Sequence, residues 1–130
     1  NYETNDMKML QLVLFAQEEL RNTLARPGLR NFKSRIVMAS TLEPLSRAEL
    51  ESMVSFRWQV ASGGGAHPFT SAALDTLFAA AHGMPREANI LADNSLLLAF
   101  HRSTQRIGKE VVEQVAGDRT SNLERREATR

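Results

Sequence analysis

Two short, nearly continuous apolar runs stand in the first third of the chain, Met9–Ala16 and Ile36–Ala39. Runs of this length without polar alternation are typical of strands that are buried on both faces, as in a parallel sheet covered by helices. We therefore predict a strand at each run. Between them the pattern predicts a helix over 18–26, and Pro27 is expected to begin a further helical turn.

Helical periodicity governs the chain from Ser46 onward. Ser46 and Glu49 have the spacing of a capping box, in which each side chain accepts a hydrogen bond from the other residue's amide. Thr70 can cap the next helix, Gly83 suits the left-handed residue at its end, and Pro85 suits the first turn of the helix that follows. The four predicted helices cover Ser46 to Ala61, Thr70 to about Gly83, Pro85 to about His101, and a last segment with Val111, Val112, Val115 and Ala116.

The predicted fold class is mainly α with a small α/β remnant. Residues 1–43 hold the two strands and two short helices, 44–117 hold the four-helix unit, and 118–130 form a polar tail, either a frayed helix or a linker. A strand buried on both faces needs neighbouring strands and helices on each side. We therefore expect the chain to be the C-terminal part of a larger α/β domain followed by a complete helical subdomain. The alternative is a small α+β domain with a two-stranded sheet.

Composition narrows the possible functions. The 130 residues include no cysteine, which excludes a disulfide scaffold and a thiolate metal site. The net charge of +1 argues against a purely electrostatic nucleic-acid or membrane binder. No apolar run is long enough to span a membrane, and the start, Asn1–Asp6, is not expected to act as a signal peptide. Thirteen of the 16 basic residues are arginine, the side chain best suited to bidentate contacts with phosphate or carboxylate.

Several segments carry a family resemblance. They are Asn1-Tyr-Glu-Thr4, residues 10–20, Leu24-Ala-Arg-Pro-Gly-Leu29, residues 32–36, Leu42-Glu-Pro-Leu-Ser46, residues 69–74 and His82-Gly-Met-Pro-Arg-Glu-Ala-Asn-Ile-Leu91. In this order and spacing they resemble the C-terminal half of AAA+ ATPases of the general-secretion-pathway A (ExeA-like) type, with relatives in pilus biogenesis and transposition. The resemblance covers about residues 1 to 118. It implies the last strands of a P-loop core followed by a four-helix lid.

The resemblance implies that three polar side chains act at a nucleotide site. It also implies that the turn before one of them, Arg86, helps to form that site. Gln17 matches the sensor-1 residue, which orients the attacking water near the γ-phosphate. Arg35 is similar to the arginine finger offered to a neighbouring subunit, with Arg30 as a rival for that role. Arg86 matches the sensor-2 arginine, which touches the phosphates from the lid, and its motif includes Gly83 and Pro85. The chain departs from the family pattern Gly-Gln-Pro-Glu-Leu, because residues 16–20 read Ala-Gln-Glu-Glu-Leu.

By the same resemblance, the full-length protein is expected to use ATP and Mg²⁺. The chain contains neither Gly-x-x-x-x-Gly-Lys-Ser/Thr nor an apolar strand that ends in Asp-Glu. We therefore expect the chain alone to bind no cofactor, to hold no metal and to be inactive. The expected partners are further copies of the chain, joined through the nucleotide site, and secretion or pilus assembly proteins. The expected location is the cytoplasm, at the inner face of the membrane if segments outside this chain direct it there.

Arg86 also has a physical argument of its own. It falls in the first turn of a predicted helix, where the macrodipole disfavours a cation. An anion at that helix end would meet both free amides and the guanidinium group. The alternative is an ion pair with Glu87 or another carboxylate. The other two candidate residues also have alternatives to a role in catalysis. Arg35 would be a solvated side chain beside a strand, and Gln17 would cap the helix that follows it.

Two other classes of function compete with the ATPase hypothesis. The helices Thr70–His82 and Pro85–His101 have the outline of a helix-turn-helix DNA reader. The helix that would read the DNA carries two acidic residues, Glu87 and Asp93, and one arginine, Arg86. The middle of this helix is rich in leucine, whereas a reading helix needs exposed polar side chains. We therefore expect no direct nucleic-acid binding. A pure protein-interaction module is the other alternative. Metal binding is not expected, because His67, His82 and His101 lack ligand spacing.

Overall fold

The computed structural model describes residues 3–4, 7–8 and 11–127, with side chains from residue 11 to residue 121. The chain divides into two units, Asn1–Thr41 and Leu42–Arg130. In chain order the elements are β1 (Glu3–Thr4), β2 (Met7–Lys8), α1 (Glu19–Leu24), a 3₁₀ turn (Pro27–Leu29), α2 (Arg30–Lys33), α3 (Arg47–Ser62), α4 (Ser71–Ala81), α5 (Pro85–His101) and α6 (Lys109–Glu127). No described helix is both long enough and apolar enough to cross a membrane.

Neither predicted strand forms in the described residues of the first unit. Residues 11–17 and 36–39 have no regular secondary structure, and residues 9–10 of the first run lie outside the described residues. The strands that are described, β1 and β2, instead pair antiparallel with each other, with Glu3 opposite Lys8. The physical reason is that a strand forms only where a neighbour supplies its hydrogen bonds, and no described segment does so for either run. The helical predictions are confirmed by α1 and by the turn that begins at Pro27.

Both unpaired runs expose apolar side chains. Phe15 is 89% exposed and Val37 is 99% exposed. No residue from 11 to 41 is buried. The remaining large exposed side chains of the two runs are Leu12, Val13, Leu14 and Met38. The first unit therefore carries contiguous apolar surface of the kind that other elements cover in a folded domain.

The first helix of the second unit begins at the predicted capping box. The Ser46 amide donates to Glu49 Oε2 at 2.8 Å, and the Glu49 amide donates to Ser46 Oγ at 3.3 Å. The helix ends where Gly63 takes a left-handed φ of 74°. At the next helix, the Ala73 amide donates to Thr70 Oγ1 at 3.1 Å, so the predicted cap at Thr70 is confirmed as well.

The core of the second unit lies where α4, α5 and α6 pack against one another, with α3 packed on α4 and α5. The Ile107 amide donates to Pro68 O and the Thr70 amide donates to Ile107 O, both at 3.0 Å, so the segments that precede α4 and α6 are joined. The buried Ser95 hydroxyl is satisfied, since it donates to Leu91 O at 2.7 Å. The largest buried apolar side chains are Leu50, Val54, Phe69, Leu74, Leu77, Leu91, Ile107, Val111, Val112 and Val115.

A close backbone approach fixes the turn between α4 and α5. The Leu45 amide donates to Gly83 O at 2.8 Å. A Cβ atom on Gly83 would lie 2.4 Å from Leu45 O and 2.9 Å from Pro44 Cβ. Gly83 also has a φ of 71°, which confirms the predicted left-handed position, and His82 before it has a φ of 50°. The site therefore needs glycine for two reasons, its φ and its lack of a side chain.

The last helix continues beyond the predicted end of the four-helix unit. Three of its predicted apolar residues, Val111, Val112 and Val115, are buried. α6 runs through Glu127, so residues 118–127 of the predicted polar tail are helical. Residues 128–130 of that tail lie outside the described residues.

Replacing Gly83 tests the close approach. Gly83→Ala should lower the free energy of unfolding by roughly 3 kcal/mol or more, because the new methyl group meets the backbone of Leu45. The matched control is Gly63→Ala, which has a similar φ of 74° but nothing within 4 Å of the added Cβ. The control should lose only about 1–2 kcal/mol, the cost of a left-handed alanine. Urea unfolding followed by circular dichroism measures both, and equal losses would contradict the close approach.

The capping box should make stability depend on pH. The Ser46 amide, and secondarily its hydroxyl, lower the pKa of Glu49 below its ordinary value of 4.5. A lowered folded-state pKa stabilises the fold above pH 4.5, and that contribution is lost as the pH falls through the lowered pKa. Glu49→Gln keeps a capping side chain but does not titrate, so its unfolding free energy should fall less below pH 4.5 than that of the wild type. Parallel curves in urea titrations at several pH values would contradict this coupling.

Candidate functional site

The turn between α4 and α5 brings together the three predicted residues of the sensor-2 motif. The Met84 amide donates to Ala81 O at 2.9 Å, which closes the turn, and the Gly83 carbonyl is held by Leu45. Pro85 then takes the first position of α5, as predicted. Gly83 is buried, whereas Pro85 and Arg86 are exposed. Arg86 is therefore an exposed cation on a turn with a fixed backbone.

The beginning of α5 differs from the beginnings of α3 and α4. No described side chain caps α5, whereas Ser46 caps α3 and Thr70 caps α4. The Ala88 amide donates to Met84 O at 3.0 Å, so the amides of Arg86 and Glu87 are the ones that precede the regular helical bonds. These two amides lie at the positive end of the helix dipole, where an anion is favoured.

Glu87 does not neutralise Arg86. Its carboxylate is instead paired with Arg119 of α6, with Arg119 Nη2 at 2.7 Å from Glu87 Oε2. The Glu87 side chain is 41% exposed and the Arg119 side chain is 29% exposed. Arg86 forms no ion pair with any side chain that the structure describes. The described part of the chain therefore does not support an Arg86–Glu87 pair, and Arg86 is exposed in the helical turn that carries the uncapped amides.

The other two predicted site residues lie in the first unit. Gln17 is exposed, and its carbonyl accepts from the Leu20 amide at 3.1 Å, while no side-chain cap is present at the start of α1. Arg35 follows α2, and its amide donates to Phe32 O at 3.1 Å. Among the described residues, neither the Arg35 side chain nor that of its rival Arg30 forms an ion pair. No described hydrogen bond joins Gln17 to Arg35.

The exposed face of α5 does not favour the helix-turn-helix alternative. A reading helix needs exposed polar side chains over the groove. Beyond the first turn, the exposed residues of α5 are Asp93, Asn94, Leu97, Phe100 and His101. An acidic residue and two large apolar ones on this face would oppose close contact with a DNA groove. In the described part of the chain no three His, Asp or Glu side chains are grouped as metal ligands.

Comparison with curated proteins finds a relative that covers most of the chain. The chain is 42% identical over 108 residues to general secretion pathway protein A of Aeromonas hydrophila, and the match covers 82% of the chain. The chain is a relative of that secretion-pathway protein. The same match covers 19% of the length of the Aeromonas protein, so the chain spans about a fifth of this relative. No protein-family model matches the chain, and no solved structure does.

Sequence reasoning did not find two residues that define this site. Arg119 is 32 residues from Glu87, and no local pattern predicts their pairing. Leu45 lies before the predicted capping box, and its hydrogen bond to Gly83 carries no local signal either. The observation that Glu87 has a partner elsewhere therefore depends on the packing of α6 against α5.

Double-mutant cycles test which arginine Glu87 binds. The cycle of Glu87→Gln with Arg119→Gln should give a coupling energy of about 0.5 kcal/mol, as expected for a partly exposed ion pair. The cycle of Glu87→Gln with Arg86→Gln should give a coupling close to zero. Urea unfolding provides the four free energies of each cycle. Coupling confined to the Arg86 cycle would contradict the geometry described here.

Proposed function

We propose that the chain is the end of the ATP-binding core and the helical lid of a AAA+ ATPase of the general-secretion-pathway A type. Its 42% identity to an Aeromonas protein with that name, and the small share of that protein that it spans, support this proposal. ATP binding and hydrolysis would serve the assembly of a secretion or pilus apparatus. The proposed partners are further copies of the protein and components of that apparatus, and the proposed location is the cytoplasm, where ATP is available.

The observation that carries the proposal is the charge arrangement at the start of α5. Arg86 is exposed in the first turn of α5, where no side chain caps the amides, and the carboxylate of the next residue, Glu87, pairs with Arg119. Phosphate oxygens would receive charge-assisted hydrogen bonds from the guanidinium group and from the amides. Gly83 and Pro85 would position this helix end. The Gly83 carbonyl accepts a hydrogen bond from the Leu45 amide, and Pro85 fixes φ at the first helical position.

The remaining parts of the proposed site would come from the core. Gln17 would orient the attacking water, and Arg35 would reach the nucleotide of a neighbouring subunit, with Arg30 as its rival. When bound, Mg²⁺ and the P-loop would neutralise charge on the transferred phosphoryl group. The described residues contain no cluster of three carboxylate or histidine ligands, so the ligands of Mg²⁺ would lie outside them.

The exposed apolar runs of the first unit have an explanation in this proposal. Residues 11–17 and 36–39 would become strands when the rest of a parallel core supplies their neighbours. The exposure of Phe15 and Val37 supports this, because such side chains are normally covered by the helices of an α/β domain. Sequencing upstream of Asn1 is a direct check, since the proposal requires Gly-x-x-x-x-Gly-Lys-Ser/Thr there.

In the longer protein that carries this segment, Arg86→Ala should reduce ATP turnover by about 10-fold or more, because a cation that contacts the phosphates is lost. A phosphate-release assay measures the rate. The matched control is Arg57→Ala, which removes an exposed arginine from α3 and should leave the rate unchanged. Equal rates for Arg86→Ala and the wild type would contradict the assignment of Arg86.

Mixed assemblies test Arg35. An arginine supplied in trans can be worth roughly 10³- to 10⁵-fold in turnover. Titrating Arg35→Ala subunits into wild-type protein should therefore reduce ATP turnover more steeply than dilution with an inert protein does. The same titration with Arg30→Ala compares the two candidates in one assay. A loss that is merely proportional to the Arg35→Ala fraction would contradict the role of Arg35.

A further inference from the structure

The second unit contains an apolar groove at the end opposite the start of α5. It lies between Trp58 of α3, the C-terminal turns of α5 and the segment that precedes α6, and it encloses about 370 Å³. We call it the α3–α5 groove. Its lining includes Leu96, Ala99 and Phe100 from α5, and Gln105 and Ile107 from the following segment. None of these residues belongs to the proposed nucleotide contacts.

The α3–α5 groove has a buried floor and an uncovered apolar rim. Ala99 and Ile107 are buried, whereas Phe100 is 83% exposed. Leu97, three residues before Phe100 on the same helix, is 66% exposed. Residues three apart are neighbours on a helix surface, so these two side chains extend the apolar surface outward from the groove. Such a surface is typical of a contact site for another protein chain.

The residues that line the groove include no acidic side chain, and the Glu110 carboxylate lies against Gly108, just beyond Ile107. The stretches 52–74 and 94–109, which supply all of its lining, contain no aspartate or glutamate. The exposed cations in the second stretch include Arg102 and Arg106. Arg102 donates to the neutral amide oxygen of Gln114, and neither arginine forms an ion pair with a described side chain. The groove therefore has an apolar interior beside positive charge that the described residues leave without a carboxylate.

We propose that the α3–α5 groove binds an acidic amphipathic helix of a partner protein. One apolar face of that helix, with large side chains at i, i+3 and i+4, would pack on Phe100, Leu97 and Trp58. Aspartate or glutamate beside that face would meet Arg102 and Arg106, which accelerates association and selects the partner. The site belongs to the lid alone and does not depend on nucleotide.

The shape of the surface favours a protein partner over a lipid or nucleic-acid partner. A bilayer meets protruding apolar side chains, whereas the groove is concave and has a buried floor at Ala99 and Ile107. A single-stranded nucleic acid stacks on successive exposed rings. The groove offers one exposed ring, Phe100, together with the half-buried ring of Trp58. A helix with aliphatic and aromatic anchors fits this surface better than either.

Selection from a phage-displayed library of random helical peptides, with the whole chain as bait, tests the proposal. The enriched peptides should combine large apolar residues at i, i+3 and i+4 with aspartate or glutamate beside them. Synthetic copies should bind in fluorescence anisotropy, and replacing their acidic residues with lysine should weaken binding by about 10-fold or more. Raising the salt concentration should weaken the binding of the acidic peptides only.

Two matched variants locate the binding surface. Phe100→Ser should weaken peptide binding by about 10-fold or more, as truncation of a central aromatic anchor does. Phe56→Ser is the control, since Phe56 is 66% exposed on α3 but does not line the groove, and it should bind as the wild type does. Arg106→Gln should weaken binding by about two- to fivefold, mainly through slower association. Urea unfolding of each variant separates loss of binding from loss of folding.

Several results would overturn the proposal. They are the absence of any enriched peptide, enrichment without an acidic preference, and binding that survives Phe100→Ser. Binding of the chain to vesicles that contain phosphatidylglycerol, lost in Phe100→Ser and without peptide binding, would assign the groove to membranes instead. Binding of the chain to a single-stranded oligonucleotide, lost in Phe100→Ser and without peptide binding, would assign the groove to nucleic acid.

Discussion

The hydrogen bond from the Leu45 amide to the Gly83 carbonyl is the contact on which the second unit depends. It joins the segment before α3 to the turn between α4 and α5, and it forms only because Gly83 has no side chain to meet Leu45 and Pro44. The capping box at Ser46 follows immediately in the chain, so the first turn of α3 starts from an anchored backbone. The same turn fixes the start of α5, and with it the position of Arg86.

The two ends of α5 carry different chemistry. Its N-terminal end presents Arg86 and two uncapped amides, and the ion pair between Glu87 and Arg119 removes the nearest carboxylate from competition for the arginine. Its C-terminal end presents Phe100 over an apolar groove whose lining residues include no carboxylate. The first arrangement suits a phosphate group and the second suits an acidic helix. A lid with both would contact nucleotide at one end and a protein partner at the other.

Local signals made the helices and their ends predictable. Ser46, Thr70, Gly83 and Pro85 each satisfy a requirement of the backbone within a few residues, and a single sequence contains that information. The pairing of Arg119 with Glu87 could not be predicted, because it arises from the packing of two helices that are distant in the chain. The α3–α5 groove could not be predicted either, because it also forms between segments that are distant in the chain. One of its walls, at Gln105, lies in a segment without a periodic pattern of apolar residues.

The predicted strands show a different limit. An apolar run such as 11–17 indicates that its side chains need cover, but it does not say whether the neighbouring strands are present in the same chain. In this structure they are absent from the described residues, and the runs stay irregular and exposed. Arg86 was predicted as a site residue from a motif and a helix position. The structure adds that no side chain caps that helix end and that the Glu87 carboxylate pairs with Arg119 and not with Arg86.

Hydrogen exchange at the amides of residues 11–17 and 36–39 tests most directly whether the chain is the end of a larger α/β core joined to a complete lid. In this chain alone these amides should exchange at nearly unprotected rates, while buried amides of α4 and α5 are protected. In a longer protein that includes the proposed core, the same amides should become protected as the two runs pair in a sheet. Protection of both runs in the isolated chain, or continued rapid exchange in the longer protein, would contradict the account.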